Sequence, residues 1–182
     1  MTYSSTQADL AENFHVQVSV KAGVALKTPL EARLLRKVLA CFAAVAGLGE
    51  ATLELIVIDD ADMEILQRQS LDRDGPTNIL SFPAAKNFPC TTRARKNKAA
   101  DPVTFPGGLA LSADTLEREA FLYGQDKADY CLRLLAHGFT HLLGHVHGPA
   151  MAKVEDRLRK AGLELIASDS QHIHRIQIQT QA

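Results

Sequence analysis

The stretch Ala51-Thr52-Leu53-Glu54-Leu55-Ile56-Val57-Ile58 limits the fold of this 182-residue chain more than any other. Its second half is apolar throughout and rich in β-branched residues, which is the pattern of a strand covered on both faces. Such a strand belongs inside a sheet flanked by helices. Around it, Phe14 to Val20 alternates apolar and polar residues with period two, as a half-buried strand does. Thr28-Pro29-Leu30-Glu31 predicts a capping box, with threonine at N-cap, proline at N1 and glutamate at N3 of a helix that runs to Gly47. Asp59 and Asp60 are placed to cap a helix over MEILQRQSL. Asp74-Gly75-Pro76 is a turn, and Ile79 to Phe82 is a short strand that Pro83 ends.

Residues 84–105 lack a clean period and predict a long basic loop before a short strand at Leu109-Ala110-Leu111-Ser112. Helical patterns follow at 113–123 and 126–144, and a third runs from about Pro149 to Lys160, with Gly162 beyond it. The polar tail 168–182 reads as disordered, although Arg175 to Gln179 alternates enough to add an edge strand. Strands and helices mix without strict alternation, so the expected class is α+β, in a single domain over 1–182 with its core at about 14–166.

Composition supports a globular chain, with 46% apolar and 23% charged residues. No apolar run reaches the ~18 residues that would span a bilayer. The N-terminal MTYSSTQADLAENFH has neither the basic nor the apolar region of a signal peptide, so the expected location is the cytoplasm, with no membrane partner. Cys41, Cys90 and Cys131 are too few and too scattered for a disulfide framework or a thiolate metal site. A net charge of −1 exerts no global pull on nucleic acid. Only the local run Arg93, Arg95, Lys96, Lys98 offers a basic patch, and its plainer reading is a solvated loop.

Four of the chain's seven histidines fall within Ala136-His137-Gly138-Phe139-Thr140-His141-Leu142-Leu143-Gly144-His145-Val146-His147. His137 and His141 are four apart on an otherwise apolar helix, which puts them one turn apart on one face with Cβ atoms ~6 Å from each other. Two imidazoles so placed can meet one Zn²⁺ at ~2.0–2.1 Å. Gly144 lets the helix end and the chain reverse, bringing His147 within reach as third ligand. His145 is the rival, being also four residues from His141. His147 is preferred because ligands at i, i+4 and i+8 would span ~12 Å of helix. His145 then lines the site or faces solvent. Three neutral histidines with an open position make a catalytic type of zinc site. A generic metal-binding helix end is the plainer alternative. The general-base glutamate of HExxH metalloproteases is replaced by Gly138, which disfavours a protease or amidase.

HGFTHLLGHVH resembles the HGxLHLxGYDH signature of the bacterial YbeY family, metal-dependent endoribonucleases of rRNA maturation. Pro76-Thr77-Asn78-Ile79-Leu80-Ser81-Phe82-Pro83 is similar to that family's PTDVLSFP or PTNVLSFP. Gly107 to Ser112, followed by Leu116-Glu117-Arg118-Glu119-Ala120, is similar to its LGDIxIS strand and the helix after it. The resemblance covers roughly residues 14–166. It implies a zincin-like, compact α+β domain, a small mixed sheet flanked by helices, holding one zinc per chain through His137, His141 and His147, with a zinc-bound water in the chemistry. It further implies single-stranded RNA as substrate, small-subunit rRNA and the ribosome as partners, and no role for DNA. Asn78 and Ser81 would line the cleft as polar contacts with RNA, Phe82 would pack, and Arg93, Arg95, Lys96 and Lys98 would add basic contacts.

The departures from the family pattern bear on catalysis. Leu71 stands where the family carries an arginine, leaving Arg73 or Arg68 as nearby substitutes, with Arg73 the candidate catalytic residue. Gly108 replaces an aspartate, and His145 and Val146 replace tyrosine and aspartate. Lost aspartates of this kind can serve as acceptors that orient ligand imidazoles. Two function classes follow: a zinc-dependent endoribonuclease, or a divergent zinc-binding, ribosome-associated protein with little or no catalysis.

Overall fold

A computed structural model of the chain describes residues 14–25, 31–48, 51–83 and 104–180. The elements in chain order are β1 (Phe14–Val20), α1 (Ala32–Val45), β2 (Ala51–Ile58), α2 (Asp60–Leu71), β3 (Ile79–Pro83), β4 (Thr104–Ser112), α3 (Ala113–Leu122), α4 (Lys127–Leu142) and α5 (Pro149–Thr180). The four strands form one sheet in the order β1-β2-β4-β3. β1, β2 and β4 run parallel, and β3 pairs antiparallel with β4 from Ile79 opposite Leu111 to Pro83 opposite Gly107. The class is α+β, as the residue pattern predicts, and the sheet is mixed.

β2 lies inside the sheet, and its side chains serve both faces. Leu53, Leu55 and Val57 join the larger core, where α1 contributes Leu35, Leu39 and Phe42 and α4 contributes Leu132, Leu135 and Phe139. The rings of Phe42 and Phe139 meet edge to face with centroids 5.8 Å apart, a favoured aromatic geometry. Ile56 and Ile58 point the other way, into a smaller cluster with Met63 of α2, Leu80, Phe82 and Ala110. A strand buried on both faces is what the LIVI run requires.

Three expectations are corrected. Thr28, Pro29 and Leu30 lie outside the described residues, but Glu31 is not at N3. It occupies the N-cap with an extended backbone and no side-chain cap bond, and its carbonyl accepts the first helical bond from Leu35 at 2.9 Å. β4 begins at Thr104 rather than Leu109, and Gly107 within it lets the backbone lie close to β3. Gly107 has φ +137°, and a Cβ there would lie 2.1 Å from the Phe82 carbonyl oxygen. The third correction concerns the C-terminal part. In place of a helix ending before Gly162 and an edge strand or disordered tail, α5 continues to Thr180. Val154, Leu158 and Leu165 pack against the core and, with buried Ala161, form one apolar stripe at helical spacing. Gly162 sits inside it, where a Cβ would come within 2.9 Å of Leu132 and 3.2 Å of Phe42. The glycine is a point of close helix packing rather than a stop signal.

Candidate metal centre

The histidine-bearing helix α4 opens with Asp126 at its N-cap, whose carboxylate accepts from the Asp129 amide at 3.0 Å. Its apolar side chains are buried and turn one stripe toward the core, leaving His137 and His141 half-buried on the open side. Gly138 sets how close the helix lies to the sheet. A Cβ at that position would fall 2.8 Å from Ile79 Cδ1 and 2.9 Å from Leu109 Cδ2. Ser81 Oγ donates to the Gly138 carbonyl at 3.0 Å, pinning β3 to the helix beside the histidines. The position that holds glutamate in HExxH therefore faces the sheet, and a carboxylate has no room there.

α4 ends through paired backbone bonds. The Gly144 amide donates to the His141 carbonyl at 3.0 Å and the His145 amide to the Thr140 carbonyl at 3.3 Å. With Gly144 at φ +85°, this is a Schellman termination. It reverses the chain and carries exposed His147 back over the helix end. Its ring centroid stands 5.3 Å from that of His137 and 4.9 Å from that of His141. One ligand atom from each of His137, His141 and His147 lies within 4.8 Å of the others, so the three could hold a metal ion.

The hydrogen bonds behind the rings fit that role. His137 Nδ1 faces Glu155 Oε1 at 2.7 Å, and His141 Nδ1 faces the His145 carbonyl oxygen at 3.1 Å. Both partners are acceptors, which assigns the proton to Nδ1 and leaves the Nε2 lone pairs free for a cation. The two Nε2 atoms converge to 3.2 Å, close to the ~3.3 Å that separates two nitrogens tetrahedrally bound at ~2.05 Å. Partial burial is the largest influence on His141 and lowers its pKa, and its Coulombic interaction with neighbouring His137 and His147 acts the same way. The His145 carbonyl opposes them without prevailing. The ring is thus biased toward the neutral form that ligates metal.

His145 enters through its backbone rather than its imidazole, and Val146 is 81% exposed. Glu155, absent from the expected site, supplies a carboxylate to His137 from α5. Nothing in local spacing marks it, because it lies 18 residues from its partner. The other expected residues are placed differently. Asn78 accepts from the Ile79 amide and donates to Glu119 Oε2 at 2.9 Å, and Glu119 also accepts from the Tyr130 hydroxyl at 2.7 Å. Asn78 therefore ties β3 to α3 and α4. Arg68 is engaged by Glu64 and Asp74 at 2.8 and 3.2 Å. Arg73 is exposed between α2 and β3. Leu71 is 50% exposed at the end of α2. Arg93, Arg95, Lys96 and Lys98 lie outside the described residues.

Comparison with known proteins places this geometry. The family model for Endoribonuclease YbeY matches residues 18–177. The chain is 40% identical over 147 residues to an Endoribonuclease YbeY of Nitratidesulfovibrio vulgaris, covering 76% of this chain and 89% of that protein. It is 36% identical over 164 residues to an Endoribonuclease YbeY of Oleidesulfovibrio alaskensis, covering 85% and 96%. A solution structure of a protein from Thermotoga maritima superposes with a TM-score of 0.54 at 15% identity, over 86% of this chain and 93% of the other. That likeness speaks for the fold. With its histidine helix, its LSFP strand and relatives matched over most of their length, the chain belongs to the YbeY family.

Proposed function

We propose that the protein is a zinc-dependent endoribonuclease of single-stranded RNA that acts in small-subunit rRNA maturation. The observation that carries the reading is the convergence of His137, His141 and His147, with the Nδ1 side of two rings already engaged. The curated relatives of this chain carry the name Endoribonuclease YbeY. When bound, one zinc ion supplies Lewis acidity and a water acidified toward neutral pH. Glu155 and the His145 carbonyl hold the Nδ1 protons and aim the two helix-borne rings. His147, carried on the loop after Gly144, completes the ligand set from the solvent side. Ser81 keeps the LSFP strand against the helix at Gly138 and so holds the wall of the cleft. Arg73, exposed beside PTNILSFP, is the nearest cation in the chain to the position where the family carries arginine. Its proposed role is to neutralise charge on the phosphate. Ribosomal partners and a cytoplasmic location belong to the same reading. So does RNA contact by Arg93, Arg95, Lys96 and Lys98.

The test is cleavage of a single-stranded oligoribonucleotide by the zinc-loaded chain, with and without chelator, beside His141→Ala. Loss of cleavage in both arms is expected. Cleavage that resists chelator and is equal in the variant overturns the reading. Leu71 in place of an arginine favours the second reading, a zinc-containing RNA-binding protein without turnover. Stoichiometric zinc and RNA binding with no product after extended incubation would select it.

A further inference from the structure

We infer that the groove between α4 and α5, together with the turn after α3, binds the single-stranded RNA that flanks the reacting phosphate. Arg133 is the phosphate contact and Tyr123 a stacking platform for a base. This rests on the endoribonuclease reading and adds a subsite to it. The groove has a volume of about 490 Å³, and its lining includes Gln125, Arg133, Ala136, Glu155, Asp156 and Arg159. Glu155 connects it to the metal centre, since its carboxylate touches both the groove and His137. Arg133 lies one turn before His137 in the same i, i+4 row that holds His141, so its Cβ is ~6 Å from that of His137.

Among the charged side chains that line the groove, one cation is left for an anion. Arg159 is committed to Asp129 through two bonds of 2.7 Å, Asp156 to Lys160 at 2.7 Å, and Glu155 to His137 at 2.7 Å. Arg133 is exposed, and no carboxylate among the described residues forms an ion pair with it. Its guanidinium instead lies 5.4 Å from the centre of the Tyr130 ring. A cation–π contact of this kind leaves the N–H fork to a ligand that accepts at two oxygens.

Aromatic surface continues the same track. Tyr130 meets Tyr123 with ring centroids 6.2 Å apart. Tyr123 is 60% exposed and follows Phe121 and Leu122, which are 84% and 67% exposed. Three large exposed apolar side chains in succession are unusual on a soluble surface. Through Tyr130, Tyr123 and Arg133 form the combination that holds an unpaired nucleotide, a ring for stacking and a cation for the backbone. A folded protein partner would bury the aromatics without requiring the free guanidinium. Single-stranded RNA uses both.

The test is fluorescence anisotropy of the zinc-loaded chain with a short labelled single-stranded oligoribonucleotide at several salt concentrations, beside a cleavage assay. Arg133→Glu is expected to weaken binding roughly tenfold or more, the scale of one lost charge-assisted bond. It should also reduce the log–log salt slope by about 0.7. Arg133→Lys should retain most of the slope. Tyr123→Ala should weaken binding by about five- to a hundredfold with an unchanged slope, because stacking releases no counterions. If the wild type binds and cleaves while Arg133→Glu and Tyr123→Ala keep its affinity and slope, the subsite is overturned and the nuclease reading stands. If affinity falls only in step with zinc content, the subsite is likewise overturned. A wild type that neither binds nor cleaves RNA removes both.

Discussion

Glu155 and Gly138 shape the candidate metal centre beside the histidines. Glu155 accepts from His137 Nδ1 at 2.7 Å, and carboxylates in this role raise metal affinity by ~10–100-fold. Glu155→Gln keeps the shape and removes the charge, so zinc affinity measured by competition with a chromophoric chelator should fall about tenfold. Affinity equal to wild type would mean that the contact does not orient the ring. Gly138→Glu tests the other side of the helix. The new side chain would point at Ile79 and Leu109. It should destabilise the protein by about 3 kcal/mol or more in urea unfolding, through overpacking and carboxylate burial. A normal midpoint would show that α4 can lift from the sheet. At this scale the pairing of His137 and His141 on one helix face and the absent base are legible in the residue order, because i, i+4 spacing is helix geometry. Glu155 is not, because α4 and α5 must dock before it faces His137.

Helix ends decide whether the third histidine arrives. Gly144 at φ +85° closes α4 and turns the chain toward His147. Gly144→Ala must adopt a left-handed backbone at a cost of roughly 1–2 kcal/mol. Thermal unfolding of the metal-free chain should register that loss, and zinc affinity should fall with it if the turn frays. No change in either would assign the reversal to the following residues. Gly144 is legible as a stop because nothing packs against it. Gly162 misleads as a stop for the opposite reason: its missing side chain is filled by Leu132 and Phe42. The same residue type ends one helix and lets another press close, and only the neighbours distinguish the two.

Across the molecule, Asp60 joins the carboxyl ends of β2 and β4. Its Oδ1 accepts from Ser112 Oγ at 2.5 Å and Thr115 Oγ1 at 2.6 Å, and its Oδ2 accepts from Arg118 at 2.7 Å. Partial burial pulls its pKa upward, yet the bonds from Ser112, Thr115 and Arg118 outweigh burial and hold the carboxyl below its ordinary value. A depressed folded pKa contributes stability in full above the unfolded value of ~3.9, and that stability is lost as pH falls through the folded value. The stability gap between wild type and Asp60→Asn should therefore be constant from neutral pH to about 5 and shrink below about 4. Urea midpoints against pH measure it, and a gap that grows on acidification would refute the assignment.

Residue order alone determines the strand covered on both faces, the α+β class, the apolar helix with two histidines on one face and the glycine that ends it. Each depends on a local period or a single backbone preference. Tertiary structure decides the remainder. It runs α5 through Gly162, sets Glu155 behind His137 and turns Asn78 toward Glu119. It also leaves Arg133 open beside Tyr130. Those outcomes rest on which faces meet, and side chains far apart in the chain choose their partners only after the core has brought their helices together.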